Sequence, residues 1–253
     1  MNWPSPEQSA LALVTPKRAE IVDLNLPAGG ERFAIDTTCG RLAAYRAGGG
    51  PIVLLAHGFG GSSSDFNAFV PALLALGFAI AALDFAGQGH SSGEIATIPD
   101  GAAALQALQA RTGRFHAVIA HSLGCAITVE SMTSGLEVER VVFIAPPRRY
   151  GDYVLHIAQQ HGWTEDYVAA VLVELLKLGV DTARLDVPNQ VTGFTQPALI
   201  LHSDNDRILP LQFGQAVAQA WPGSILLPQP GLGHRRILSD PSVIERAVGF
   251  IAD

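Results

Sequence analysis

The chain has 253 residues, 48% of them hydrophobic and 15% charged, and carries a formal net charge of −7. That length fits one large domain or two small ones with a sizeable core, and the composition excludes a disordered chain, which needs low hydrophobicity and high net charge. The negative balance, with no run of Lys or Arg, offers no attraction to a phosphate backbone, so nucleic acid is not an expected partner.

The opening stretch MNWPSPEQSALALVTPKR lacks a basic start and holds only a short apolar run, ALALV, which falls short of the apolar region of a secretory signal. No segment approaches the roughly 18–20 uninterrupted apolar residues of a membrane span, and a cytoplasmic location without a membrane span is the expectation. Cys39 and Cys125 lack the partners of a disulfide framework or a metal site, and read as packed or free thiols.

Next, ERFAIDT (31–37) and GRLAAYR (40–46) alternate apolar with polar residues around Thr38-Cys39, which predicts an antiparallel hairpin at a sheet edge. From residue 51 the pattern changes. PIVLLAH (51–57), FAIAALD (78–84), HAVIAHS (116–122), RVVFIAP (140–146), PALILHS (197–203) and SILLPQP (224–230) are nearly all apolar, as strands covered on both faces must be. Helical patterns fall at 65–76, 99–111, 123–134, 211–221 and 241–252, with Pro99 and the pair Asp240-Pro241 as start signals. Strand and helix in alternation predict an α/β fold with a mostly parallel sheet.

The interval between Ala145 and Pro197 is far longer than an ordinary connection of two to six residues. It contains helical stretches near 150–161 and 164–178, the latter (TEDYVAAVLVELLKLG) with Thr164 as N-cap and Gly179 at its end. The expectation is a core formed by 1–147 and 197–253, with 148–196 inserted as a helical cap over the sheet.

AHSLG (120–124) puts a serine where an apolar strand gives way to a helix, flanked by the small residues Ala120 and Gly124. A serine there is either an ordinary helix N-cap or a nucleophile exposed on a sharp strand-to-helix turn. A serine hydroxyl attacks only when a base takes its proton and nearby donors receive the oxyanion. HGFGG (57–61), HSDNDRILP (202–210) and GLGH (231–234), each after a strand, bring candidates for those tasks.

These four motifs, in this order and each on this kind of element, resemble the α/β-hydrolase family over about 31–252. The resemblance implies an α/β-hydrolase fold with an antiparallel N-terminal edge, helices on both faces and a cap. It implies Ser122 as nucleophile, His234 as general base and acid, Asp206 as the carboxylate that orients His234, and the backbone N–H groups of Phe59 and Leu123 as oxyanion donors. Asp204 competes with Asp206; the family pattern of an acid followed by two residues and a proline favours Asp206. Ala120 stands where the family usually has glycine, and Cys125 where many relatives have Gly or Ala.

Neighbouring residues draw structural expectations. His57 is expected to brace the oxyanion loop, His202 the acid loop, and His121 to pack or hydrogen-bond beside the serine. DFAGQGHSSG (84–93) lacks the lysine and spacing of a phosphate-binding loop and resembles the family loop that folds against the oxyanion strand. Arg148 and Arg149, at the base of the cap, are candidates for pairing with a substrate carboxylate or for anchoring the cap as solvated charges. Arg235 and Arg236 read as structural. Tyr150, Tyr153, Trp163 and Tyr167 either line a pocket or pack the cap on itself.

A serine at the turn excludes the family branches that attack with aspartate. The reaction implied is acyl transfer to water, foremost hydrolysis of carboxylic esters with small to medium acyl chains, with no metal or organic cofactor. Thioesterase, carbon–carbon bond hydrolase, lactonase and lipase use the same three residues, and a ligand-binding regulatory protein that keeps the fold is the alternative of another class.

Overall fold

The computed structural model describes residues 3–17 and 20–253. It begins with α1 (Pro6–Val14), which opens on a capping box: Ser5 accepts from the Gln8 amide, and the Gln8 side chain accepts from the Ser5 amide. A hairpin of β1 (Glu31–Thr37) and β2 (Gly40–Ala47) turns at Thr38-Cys39, as its alternating pattern predicts. Then come β3 (Ile52–Ala56), α2 (Phe69–Ala75), β4 (Ala79–Leu83), α3 (Ile98–Thr112), β5 (Phe115–His121), α4 (Leu123–Thr133) and β6 (Val138–Ile144). After β6 lie α5 (Tyr150–His161), α6 (Glu165–Lys177) and the short α7 (Val187–Gln190). The chain finishes with β7 (Ala198–Ser203), α8 (Leu211–Ala220), β8 (Ile225–Gln229), α9 (Gly233–Arg236) and α10 (Pro241–Ala252).

The strands form one eight-stranded sheet in the order β1-β2-β4-β3-β5-β6-β7-β8. Pairings from β4 to β8 are parallel, whereas β2 runs antiparallel to both β1 and β4. Alternate residues of each central strand feed opposite faces. Leu54, Val118, Val141 and Phe143 pack toward α3, α4 and α8, while Val53, Leu55, Ile119 and Ile144 pack toward α2 and α10. That double cover is why these strands read as unbroken apolar runs rather than as alternating ones.

The chain leaves β3 for β4 on one side and returns to β5 on the other, so the sheet order reverses beside β3. In open α/β sheets the crevice at the carboxyl ends of the strands flanking such a reversal is the usual place for a ligand. The connections after β3, β5 and β7 carry Gly58-Phe59, Ser122 and Asp206, and α9 after β8 carries His234.

The segment between β6 and β7 is tied to the rest of the chain on two sides. From below, the buried carboxylate of Glu130 on α4 receives Arg184 at 2.6 Å and Gln190 at 2.9 Å. From outside, α1 lies against α6: the Ser9 and Tyr167 hydroxyls are 2.8 Å apart, Trp3 Nε1 donates to the His161 carbonyl at 3.2 Å, and the Trp3 and Tyr167 rings sit 4.9 Å apart. Among the described residues no helix is long and apolar enough to cross a membrane.

Candidate functional site

Ser122 follows β5 and caps α4 with φ 53° and ψ −122°, and its side chain makes no capping hydrogen bond. A non-glycine residue in this region costs on the order of 1–3 kcal/mol and persists only where its surroundings dictate it. Here the Ser122 amide donates to the Ile144 carbonyl at 3.0 Å and the Ser122 carbonyl accepts from Cys125 at 3.0 Å, which pins the turn from both sides. Gly124 is required by close approach, because a Cβ there would lie 2.3 Å from the Ala56 carbonyl oxygen. A Cβ on Gly58 would lie 2.9 Å from the Cβ of Ser122. Cys125 is fully buried, and burial pushes its thiol well above the usual range, as suits a packing residue.

The turn presents Ser122 Oγ 3.0 Å from His234 Nε2, and His234 Nδ1 lies 2.7 Å from Asp206 Oδ2. With its Nδ1–H donating to the carboxylate, Nε2 is left as the acceptor for the serine hydroxyl. Asp206 Oδ1 accepts from the Ile208 and Leu209 amides at 2.8 and 2.9 Å. Burial by itself would raise this carboxyl, but the hydrogen bond and charge of His234, with the two amides, outweigh it and hold the pKa below the ordinary aspartate value. Asp206 is therefore an anion fixed at both oxygens.

Asp204 does a different job. Its Oδ1 accepts from the Gly231 amide at 2.8 Å, while Ser203 Oγ accepts from Leu232 and Gly233 at 3.0 and 2.9 Å, and Asn205 Oδ1 from Gly233 at 2.8 Å. Three consecutive side chains of one loop thus hold the loop that carries His234.

The three other histidines near the site are buried and braced. His57 accepts from the Phe85 amide at Nε2 (2.9 Å), so its Nδ1–H donates to the Gly58 carbonyl at 2.8 Å, and burial lowers its pKa. His202 donates from Nε2 to the Leu209 carbonyl at 2.8 Å, beneath Asp206, and its pKa too is lowered by burial. His121 donates from Nε2 to the main-chain carbonyl of His234 at 2.9 Å, and the two imidazoles lie 4.7 Å apart. Burial, with the charges of His234 and Arg235, brings His121 down to about 3, so it is neutral at any working pH.

The Phe59 and Leu123 amides, the former in the loop after β3 and the latter opening α4, donate to no protein acceptor among the described residues. Two side chains of the 84–93 loop hold the loop of Phe59: Gln88 Oε1 accepts from the Gly60 amide at 2.6 Å and Asp84 Oδ1 from Ser63 at 2.8 Å.

Above Ser122 lies a cavity of about 570 Å³, within the size range of small-molecule sites. Its walls include Ile98 and Ala126 from the helices over the sheet, Phe213 of α8, and Tyr150, Tyr153, Leu185 and Val187 from the segment between β6 and β7. Trp163 and Tyr167 instead pack on one another and toward Trp3. Arg148 lines the cavity but is already engaged: Nε and Nη2 donate to Asp152 at 2.8 and 3.0 Å, and the guanidinium lies 5.2 Å from the centre of the Phe213 ring. Arg149 reaches Asp152 at 3.4 Å. Arg236 bonds the Leu232 and Gly231 carbonyls, as a structural residue does. Arg235 and Arg207 also line the cavity.

The profile of the alpha/beta hydrolase family matches residues 53–247, and the chain belongs to that family. Among curated proteins none matches the chain. Solved structures with the same fold include an esterase from Exiguobacterium antarcticum (TM-score 0.70, 15% identity, covering 87% of this chain and 99% of that one). The carboxylesterase CesB from Bacillus subtilis gives a TM-score of 0.65 at 18% identity, covering 97% of this chain and 95% of its own. A bromoperoxidase from Bacillus anthracis gives 0.67 at 17%, covering 87% and 99%. At such identities these likenesses concern the fold and leave the reaction to the site.

Proposed function

We propose that the protein is a serine hydrolase that cleaves carboxylic esters of small to medium acyl chain through an acyl-enzyme. The observation that carries this reading is the unbroken chain from Ser122 Oγ through His234 to Asp206, at 3.0 and 2.7 Å, with Ser122 and His234 lining a cavity of about 570 Å³. Ser122 attacks the ester carbonyl as its proton passes to His234 Nε2. The oxyanion is received by the Phe59 and Leu123 amides, preorganised donors of the kind that stabilise such charge most effectively. His234 then protonates the departing alcohol, and on deacylation takes a proton from the attacking water. Asp206 remains ionised throughout and fixes the imidazole tautomer.

Residues 148–196 act in this reading as a cap. Their tyrosines and aliphatic side chains close the cavity from above, and the apolar wall they share with Ile98 and Phe213 suits an acyl chain rather than a polar polymer. The test is hydrolysis of p-nitrophenyl esters from acetate to long acyl chains by the wild type and Ser122→Ala. The reading predicts an optimum at short to medium length and a loss of roughly 10³-fold or more in the variant. Absence of turnover by folded wild type across the series rejects the ester reading and shifts the assignment to carbon–carbon or thioester substrates.

A further inference from the structure

Four arginines line the cavity against two aspartates, in a chain whose formal net charge is −7. Arg148 and Arg149 are taken up by Asp152. Arg207 and Arg235 have no hydrogen-bond or ion-pair partner among the described residues, and both are exposed residues that still contribute to the cavity wall. Each follows directly on a residue of the proposed catalytic chain: Arg207 on Asp206, Arg235 on His234. The loops that fix the acid and the base therefore also fix the roots of the two cations. On the other wall, Arg235 Nη2 lies 3.9 Å from where a Cβ on Gly60 would stand, which sets the guanidinium beside the loop that carries the Phe59 amide.

The remaining carboxylate on the wall, Asp65, forms no ion pair within 4.0 Å among the described residues, so two unpaired cations and one unpaired anion line the cavity. An unpaired, exposed guanidinium on the wall of a largely apolar cavity is a planar donor array matched to a carboxylate. It also raises the local concentration of anions that the chain as a whole repels.

We propose that the substrate is an anionic ester, one bearing a free carboxylate on the part that remains at the cavity mouth, and that Arg207 and Arg235 bind this group. The inference rests on the ester-hydrolase reading and names the substrate class within it. The two arginines take no part in the bond-making steps; they set which ester is held over Ser122.

The test compares p-nitrophenyl hydrogen adipate with its methyl-capped, neutral counterpart, and reads the ratio of their kcat/KM values. Partly exposed arginine–carboxylate pairs predict a ratio of roughly tenfold in favour of the anion at low salt, falling as ionic strength rises. In Arg207→Gln/Arg235→Gln the ratio drops to about one, within the uncertainty of such exposed pairs. A parallel calorimetric titration of monomethyl adipate into Ser122→Ala reads binding without turnover, so it stands even if neither ester is cleaved. Heat of binding that disappears in the variant carrying both Gln substitutions supports the proposal. A wild-type ratio at or below one, a ratio untouched by the substitutions, or binding that survives them overturns it. Loss of turnover on both esters with arginine-dependent binding intact instead rejects the hydrolase reading alone.

Discussion

His121 Nε2 donates to the main-chain carbonyl of His234 across 2.9 Å, so the residue before Ser122 holds the histidine whose ring meets the Ser122 hydroxyl. The bond places a proton on Nε2, and burial keeps the ring from taking a second one, lowering the pKa to about 3 although the bond itself favours the charged form. His57 and His202 are lowered by burial in the same way. The unfolded chain takes up protons at these sites as pH falls through the ordinary histidine value near 6.5, while the folded chain does not. Stability is thus complete above about 6.5 and is lost progressively between there and the folded value near 3. Urea midpoints measured from pH 7 down to pH 4 are expected to fall. His121→Gln flattens the dependence by up to about 1.4 kcal/mol per pH unit. Equal slopes in variant and wild type contradict this account of His121.

Two aspartates two residues apart divide their labour between orienting a side chain and holding a loop. Asp206→Asn leaves the fold standing but offers His234 the wrong partner, with an expected loss in kcat of about 10⁴-fold. Asp204→Asn weakens a single contact to Gly231, and its expected cost is about 1 kcal/mol in stability and less than about tenfold in kcat. Steady-state kinetics of the two variants side by side decide the assignment; a larger kcat loss in Asp204→Asn reverses it.

Glu130 anchors the segment between β6 and β7 from within the core. Its carboxylate is nearly sealed from water, whereas the Arg184 side chain that meets it at 2.6 Å is half exposed. Arg184→Ala leaves the carboxylate with Gln190 alone, and the expected destabilisation is about 1–2 kcal/mol after allowance for the exposed partner. Limited proteolysis should then cut within 181–196 faster than in wild type, and unchanged cleavage counts against the anchor.

Gly124 admits no side chain, because the Ala56 and His57 carbonyl oxygens stand 2.3 and 2.6 Å from where a Cβ would be. Gly124→Ala must push α4 from β3 and displace the turn of Ser122, at an expected cost of about 2–3 kcal/mol. Thermal denaturation of this variant beside Gly249→Ala, where the surrounding space is open, separates the crowding from any general effect of replacing glycine.

The parts of the fold legible in sequence were those with a strong local cause. Continuous apolar runs mark β3 to β8, the central ones because both their faces are covered, alternation marks the β1–β2 hairpin, and Thr164 and Asp240-Pro241 mark helix starts that the structure contains. Helix α1, opened by the capping box of Ser5-Pro6-Glu7-Gln8, is short, and its buried Ala10, Leu13 and Val14 find their cover in the distant α6, which no local pattern announces. Site features that arise only by juxtaposition were also out of reach. His121 and His234 are separated by 113 positions, and nothing local announces their hydrogen bond. Arg207 and Arg235 read as ordinary residues until the fold brings both to the lining of one cavity.

Covalent capture of the nucleophile tests the central claim most directly. The wild-type protein is incubated with an alkyl fluorophosphonate, a reagent that phosphonylates an activated serine, and the modified peptide is located by mass spectrometry. The account predicts one adduct, on Ser122, formed rapidly at neutral pH and slowed by orders of magnitude in His234→Ala. An unmodified Ser122 in folded protein, or an adduct that forms equally well without His234, contradicts it.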